Sequence, residues 1–300
     1  MNSLVQNINW QGDVGIHLDM LNNQVPRGRN QFYQKIILNH VKDKVCLDIG
    51  FGTGLLSIIA LEAGASHIIA FESNYHRYNL GVYIIEQLGL QDRISLIKDK
   101  FTTTTDIDHY EVVLHEIFGP NLWNEGLFYA LPLNNSLLLP GAIRMDFEMY
   151  VISLESYKKF YLPKRKFNPE ITINSKFVNV VQTLIDQTPS KFFKQGMLAA
   201  GSIPNKKIDN QFFYQIDFNR RVLTSNKGSL TFETLPTQHS EVMDLQIDQD
   251  TVLMLYPHSS IEHDIHRLPW CYYDPLFVFE TGRYHVQQHF VSGDFSARLI

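Results

Sequence analysis

Cysteine is scarce: Cys46 and Cys271 are the only two in 300 residues. They lie far apart, each inside an apolar run and with no CxxC pair. Neither a disulfide framework nor a thiolate metal site is expected, and both read as reduced packing residues of an intracellular chain. Long hydrophobic runs are missing as well, since no stretch approaches the roughly eighteen apolar residues of a membrane span. The N-terminal MNSLVQNINWQGDVGIHLDM lacks a basic segment followed by an apolar core, so no secretory signal is expected. A basic excess is also missing. The formal net charge of −5 weighs against a nucleic-acid partner and suits a basic ligand. These absences together predict a cytoplasmic protein with no membrane partner.

What is present is ordinary globular material, 44% apolar and 19% charged, in a length that suits one large domain or two of usual size. The chain has two textures. Between about residues 30 and 137, strand-like runs alternate with helical periods. NQFYQKIILNHV (30–41) predicts a helix, KVCLDI (44–49) a strand, LLSIIALEA (55–63) a helix ended by Gly64, and HIIAF (67–71) a second strand. A helix over 78–88 and strands over 94–97 and 112–114 complete the pattern. Such alternation predicts an α/β fold, a Rossmann-like domain with a mostly parallel sheet.

Beyond Pro140, runs rich in β-branched and aromatic residues are separated by turn formers: 149–154, 176–181, 212–216, 230–232, 252–256 and 276–279. They predict an all-β, barrel-like domain with one helical excursion near 182–196. The expected division is an N-terminal segment (1–30), a Rossmann-like domain (31–138) and a β-barrel domain (139–300). A cleft is expected between the two larger domains.

Chemistry first becomes visible in LDIGFGTGL (47–55). Gly50, Gly52 and Gly54 follow a strand and open a helix, letting the backbone approach a ligand and aiming helix amides at its anionic group. The dinucleotide fingerprint would need a small residue at 55, and Leu55 stands there, which disfavours an NAD-binding oxidoreductase. Asp48 precedes the first glycine. Glu72 closes the next strand, where an acidic side chain suits two ribose hydroxyls and repels a 2′-phosphate. This combination resembles the S-adenosyl-L-methionine site of class I methyltransferases.

LHEIFGPNLWNEG (114–126) sets Glu116 and Glu125 nine positions apart among uncharged neighbours except His115. Glu116 directly follows a strand, at the carboxyl rim where open α/β sheets bind ligands. Two facing carboxylates can hold a metal, share a proton or clamp a cation. A metal wants more hard ligands than this stretch offers, so no metal is expected. A guanidinium fits best, being planar, permanently charged and matched to carboxylates two bonds at a time.

These motifs resemble the protein arginine methyltransferase family over about residues 15–155, most closely in VCLDIGFGTGLLSIIALEAGA, IIAFE and HEIFGPNLWNEG. The last is similar to the family's double-E loop, and LLPGAIRMDFEMYVISLES to its approach to the barrel. HLDMLNNQVPRGRNQFY is similar to the family's segment in which a Met lies beside the reacting centre and an Arg pairs with the cofactor carboxylate. The resemblance implies S-adenosyl-L-methionine as cofactor. It implies cofactor contacts from His17, Arg29, Asp48, Gly50, Gly52, Gly54, Glu72 and Glu116, with Arg27 a rival to Arg29. It also implies Met20, Glu116 and Glu125 at the reacting centre, and a homodimer.

Two departures stand out. Where the family often places an adenine-contacting Glu, this chain has KDKFT, leaving Phe101 or Thr102 there. The family's Thr-His-Trp loop is matched only by IHRLPWCY (265–272), with Trp270 for the Trp, Pro269 in place of the His, and His266 as its substitute. The double-E loop with the missing adenine Glu looks more like the monomethylating subgroup. Tyr256–His266, rich in His, reads as a polar loop rather than zinc, for lack of an H-E-x-x-H order. The expected function is methyl transfer to an arginine guanidinium held by Glu116 and Glu125. The acceptor is an arginine-containing protein or peptide, with a free guanidine metabolite as the alternative. A catalytically silent cofactor-binding partner is the other-class alternative.

Overall fold

The computed structural model describes residues 17, 18, 21, 29–105, 107, 109–117, 130–132, 136–153, 167, 169, 171–187, 206–225, 228–231, 240–247, 249, 251–261, 264–269, 276–278, 280–289 and 295–300. Beyond residue 142, apart from 167–187, side chains are described only at 215–222, 229, 244, 246, 247, 249, 280–287 and 296–300. The chain divides into two compact units. The first gathers Met1–Ile117, Tyr129–Gly141 and Pro163–Gly196; the second gathers Phe118–Phe128, Ala142–Leu162 and Met197–Ile300.

The first unit is built on a five-stranded parallel sheet, in the order β3-β2-β1-β4-β5. Its strands are β1 (Val45–Ile49), β2 (His67–Phe71), β3 (Ile94–Ile97), β4 (Val112–His115) and β5 (Leu137–Leu139). Helix α1 (Arg29–Leu38) precedes β1, and α2 (Leu55–Glu62) and α3 (Tyr75–Leu88) lie between the strands. Every residue of β4 and four of five in β1 are buried, as central strands covered on both faces must be. In α2, Leu55, Leu56, Ser57, Ile58, Ile59 and Ala60 are all buried, which is why its sequence is apolar almost all round.

Boundaries differ from expectation by local chemistry. Helix α1 stops at Leu38, not Val41, because the chain turns through Asp43 at φ 61° into β1. Helix α3 begins three residues earlier than the expected Tyr78, because the Asn74 side chain accepts from the amides of His76 (2.9 Å) and Arg77 (3.1 Å). The expected strand at 176–181 is a helix, α4 (Ser175–Gln187). Its buried residues, Phe177, Val181, Leu184 and Ile185, recur at helical spacing. Burial of such side chains stabilises by about 1.5–3 kcal/mol each, which outweighs the few tenths that a β-branched residue costs a helix. Helix α4 packs on α3 within the first unit.

The second unit is antiparallel. A seven-stranded sheet contains β12-β11-β6-β7-β8-β9 with β13 paired to β11, and a three-stranded sheet runs β10-β14-β15. The strands are β6 (Ala142–Ser153), β7 (Lys206–Asp217), β8 (Val222–Ser225), β9 (Gly228–Thr231), β10 (Ser240–Ile247), β11 (Thr251–Ile261), β12 (Asp264–Pro269), β13 (Leu276–Val278), β14 (Gly282–His289) and β15 (Phe295–Leu299). The polar loop expected over Tyr256–His266 is strand at its described residues: Tyr256–Ser260 continue β11 against β6, and Asp264 pairs back on Ile261. An unbroken ladder to a long partner strand supports pairing that local polarity does not suggest. Among the described residues, no helix is long and apolar enough to cross a membrane.

Candidate active site

Strand register assembles the site. Ile49 of β1 lies opposite Phe71 of β2 and His115 of β4. The residues that follow these three, Gly50, Glu72 and Glu116, therefore share one rim. With strands about 4.8 Å apart, the two carboxylates start roughly 10 Å from each other with the glycine turn between them.

All three glycines of the turn hold positive φ, 86° at Gly50, 56° at Gly52 and 78° at Gly54, a region that side chains avoid. At Gly54 a Cβ would also meet the Phe51 ring at 2.5 Å, and at Gly52 it would stand 3.5 Å from Nδ1 of His17.

Glu72 is 2% exposed and bound to the protein by both oxygens. Oε2 accepts the Gly52 amide at 3.0 Å; Oε1 accepts the Asn74 amide at 2.8 Å and Arg77 Nε at 3.1 Å. The carboxylate expected to take ribose hydroxyls thus first pins the turn to the start of α3. Arg77 also donates from Nη1 to Nε2 of His17 at 3.2 Å. Burial, then Arg77, then Arg29 hold the His17 ring neutral, with its pKa down to about 3.

Asp48 is buried beneath the turn. Ser57 Oγ donates to its Oδ2 at 2.5 Å, while Oδ1 has no partner among the described residues. Burial pushes its pKa up to about 7; the Ser57 bond works against the rise, and Glu72 and Glu116 add to it. A buried acceptor of this kind invites a ligand donor.

Glu116 meets Arg29. Arg29 Nε donates to Oε1 at 2.6 Å and Nη2 to Oε2, a two-bond grip with side chains 14% and 10% exposed. Burial opposes charge on both partners. It holds the Glu116 carboxyl above its ordinary range, a rise that Arg29 only partly offsets; on Arg29, burial is outweighed by Glu116, so its pKa is raised. Arg29 is steadied by Asn30 Oδ1 at 2.9 Å and lies 5.9 Å from the centre of the Tyr33 ring. Asn30 donates onward to the carbonyls of Leu21 (3.1 Å) and Pro169 (3.0 Å), and Tyr33 Oη to that of His115 (3.2 Å).

The structure therefore brings together His17, Arg29, Asp48, Gly50, Gly52, Gly54, Glu72 and Glu116. Phe101 is buried edge-on against Phe71, with ring centres 5.3 Å apart. Thr102 closes a local turn, its amide donating to Thr105 Oγ1 at 2.9 Å. Met20, Arg27, Glu125 and Trp270 lie outside the described residues. His266 is in β12, its side chain outside them too. Arg77, Ser57 and Asn30 escaped the sequence reading. Asn74 as a helix cap two residues after Glu72 was the one signal that could have exposed Arg77, which an early helical turn brings back over the strand end.

No family model matches the chain. Over 136 residues, 44% of this chain and 38% of the other, it is 33% identical to protein arginine N-methyltransferase 1 of Chlamydomonas reinhardtii. Over 156 residues, 49% of this chain and 36% of the other, it is 32% identical to protein arginine N-methyltransferase 8-B of Danio rerio. The chain thus spans well under half the length of these curated relatives. Among solved structures, it superposes on the Trypanosoma brucei PRMT1 enzyme-prozyme heterotetrameric complex with AdoHcy at TM-score 0.52 and 18% identity, covering 92% of this chain and 87% of that one. A PRMT6 crystal structure gives 0.51 and 16%, covering 96% and 99%. At such identities the superpositions speak for the fold. In sequence the chain is thus similar to protein arginine N-methyltransferases over about half its length, and in fold it is similar over most of its length to the two solved structures.

Proposed function

We propose that the chain is an S-adenosyl-L-methionine-dependent N-methyltransferase acting on the guanidinium of arginine in a protein or peptide. The observation that carries this reading is the grip of Glu116 on Arg29: a carboxylate at the rim of the glycine turn whose surroundings accept a guanidinium two bonds at a time. The nine-residue spacing to Glu125 and the sequence relatives, named as arginine N-methyltransferases, support it.

The residues present fit the cofactor. Asp48 Oδ1 is a buried acceptor without a partner among the described residues, Gly52 leaves room that a Cβ would fill, and His17 and Arg29 offer donors to a carboxylate. When bound, the cofactor supplies a methyl group made electrophilic by its sulfonium, leaving as a thioether when the nitrogen–carbon bond forms. Glu116 and Glu125 hold the acceptor guanidinium, draw its charge from one terminal nitrogen, and take up the proton which that nitrogen loses. Positioning supplies much of the rate in such an in-line displacement. Arg29 would hold the cofactor's carboxylate, and in doing so would release Glu116 for the acceptor guanidinium.

A homodimer, a barrel closed from the second unit's two sheets, a cytoplasmic location, and roles for Met20, His266, Trp270 and Phe101 or Thr102 belong to the same proposal. Glu116→Gln tests it. Methyl transfer should fall by roughly 10²–10³-fold while cofactor affinity stays within about threefold. Loss of cofactor binding in that variant would make Glu116 a structural residue and remove the basis of the proposal.

A further inference from the structure

Arg77 stands outside the residues that the family pattern singles out, yet it touches two of them. Its Nε donates to Glu72 and its Nη1 to His17. A guanidinium has donors only, so the ring nitrogen facing it must present its lone pair. His17 Nε2 is therefore the acceptor, and the proton of the neutral ring resides on Nδ1. That nitrogen is the one turned toward Gly52, 3.5 Å from the place a Cβ there would occupy.

We propose that Arg77 is a positioning residue that fixes the tautomer of His17, so that Nδ1–H donates to the carboxylate of the cofactor's amino-acid half. The inference rests on the cofactor reading above. Its logic follows from charge and geometry. A histidine beside an anion site is useful as a donor, and an imidazolium would be the obvious form. Here Arg29 and Arg77, together with burial, deny it the second proton. A neutral ring left to itself carries its proton on either nitrogen. Arg77 removes that ambiguity from the far side of the ring and needs no contact with the ligand. Glu72 holds Arg77 in place, and the Asn74 cap sets the helix turn from which it projects. The strand end, the helix start and the N-terminal segment thus act as one unit on a single N–H.

The test separates the two halves of the cofactor. S-adenosylhomocysteine carries the carboxylate; 5′-methylthioadenosine keeps the adenosine and sulfur but lacks the amino-acid end. In Arg77→Met, affinity for the first should fall about tenfold. Affinity for the second should hold or rise, since Glu72 is released from one of its donors. Equal losses for both would mean that Arg77 acts through Glu72 and the turn, and unchanged affinities would mean that it has no positioning role. Either result overturns the proposal. Nitrogen NMR of the His17 ring in the ligand-free protein gives an independent reading. Nδ1 should be protonated and Nε2 bare in the wild type, with Nε2–H populated in Arg77→Met. A wild-type ring protonated on Nε2 overturns the proposal directly. Failure of the wild type to bind either compound would instead sink the cofactor reading, and the ring nitrogens would still decide the tautomer.

Discussion

The two carboxylates that flank the glycine turn end equivalent strands, and each faces an arginine, yet they are held in different ways. Glu72 accepts two backbone amides besides Arg77, so it is sewn into the loop and the helix cap. Among the described residues, Glu116 is bonded by a side chain, Arg29, and by no backbone amide. A carboxylate bound to amides cannot leave without undoing the turn, whereas one bound to a long side chain can exchange its partner. The first is an anchor that holds the glycine turn to the helix start. The second is a seat for a guanidinium, filled from within the chain.

The sharpest way to break this contrast is Arg29→Met. Burial raises the Glu116 carboxyl, and Arg29 is what pulls it back. Without Arg29 the group should carry its proton to higher pH, so transfer measured at saturating cofactor should drop roughly a hundredfold at neutral pH and recover as the pH rises. A pH–rate profile checks this, and an unshifted profile would mean that the pair does not control Glu116. Next in size is Glu72→Gln. The neutral amide keeps the shape but gives up charge-assisted bonds to Gly52 and Arg77. S-adenosylhomocysteine should then bind about ten to a hundredfold more weakly by calorimetry, and the thermal midpoint should fall by several degrees. If only turnover changed, Glu72 would be no anchor.

The smallest effect on activity concerns Asp48. Its folded pKa of about 7 exceeds the ordinary unfolded value of about 3.9, so between these limits the folded state binds more protons. Stability should therefore be greatest at low pH in that window and decline as pH rises towards 7. Melting curves of Asp48→Asn should lose this slope; an unchanged slope would assign it to other groups.

Much of the sheet was legible because buried parallel strands are short apolar runs: 67–71 and 94–97 match β2 and β3 residue for residue. The glycine turn and both carboxylates were legible because they sit at strand ends. Helix α4 was not, since Val178, Val180 and Val181 imitate a strand and only burial at helical spacing reveals the helix. The Tyr256–His266 stretch misled in the opposite sense, its polar residues belonging to a ladder set by partner strands. Arg77 was hidden for a geometric reason. Its two partners lie five residues before it and sixty residues away, and neither spacing is a periodicity that a sequence displays.

The central claim is tested most directly by mass spectrometry of arginine-containing peptides, with free arginine in parallel, after incubation with methyl-labelled S-adenosyl-L-methionine. The account predicts label on a guanidino nitrogen of peptide arginine, absent with Glu116→Gln. Label confined to free arginine would keep the chemistry and correct the acceptor. Cofactor binding without transfer to any guanidinium would contradict the account.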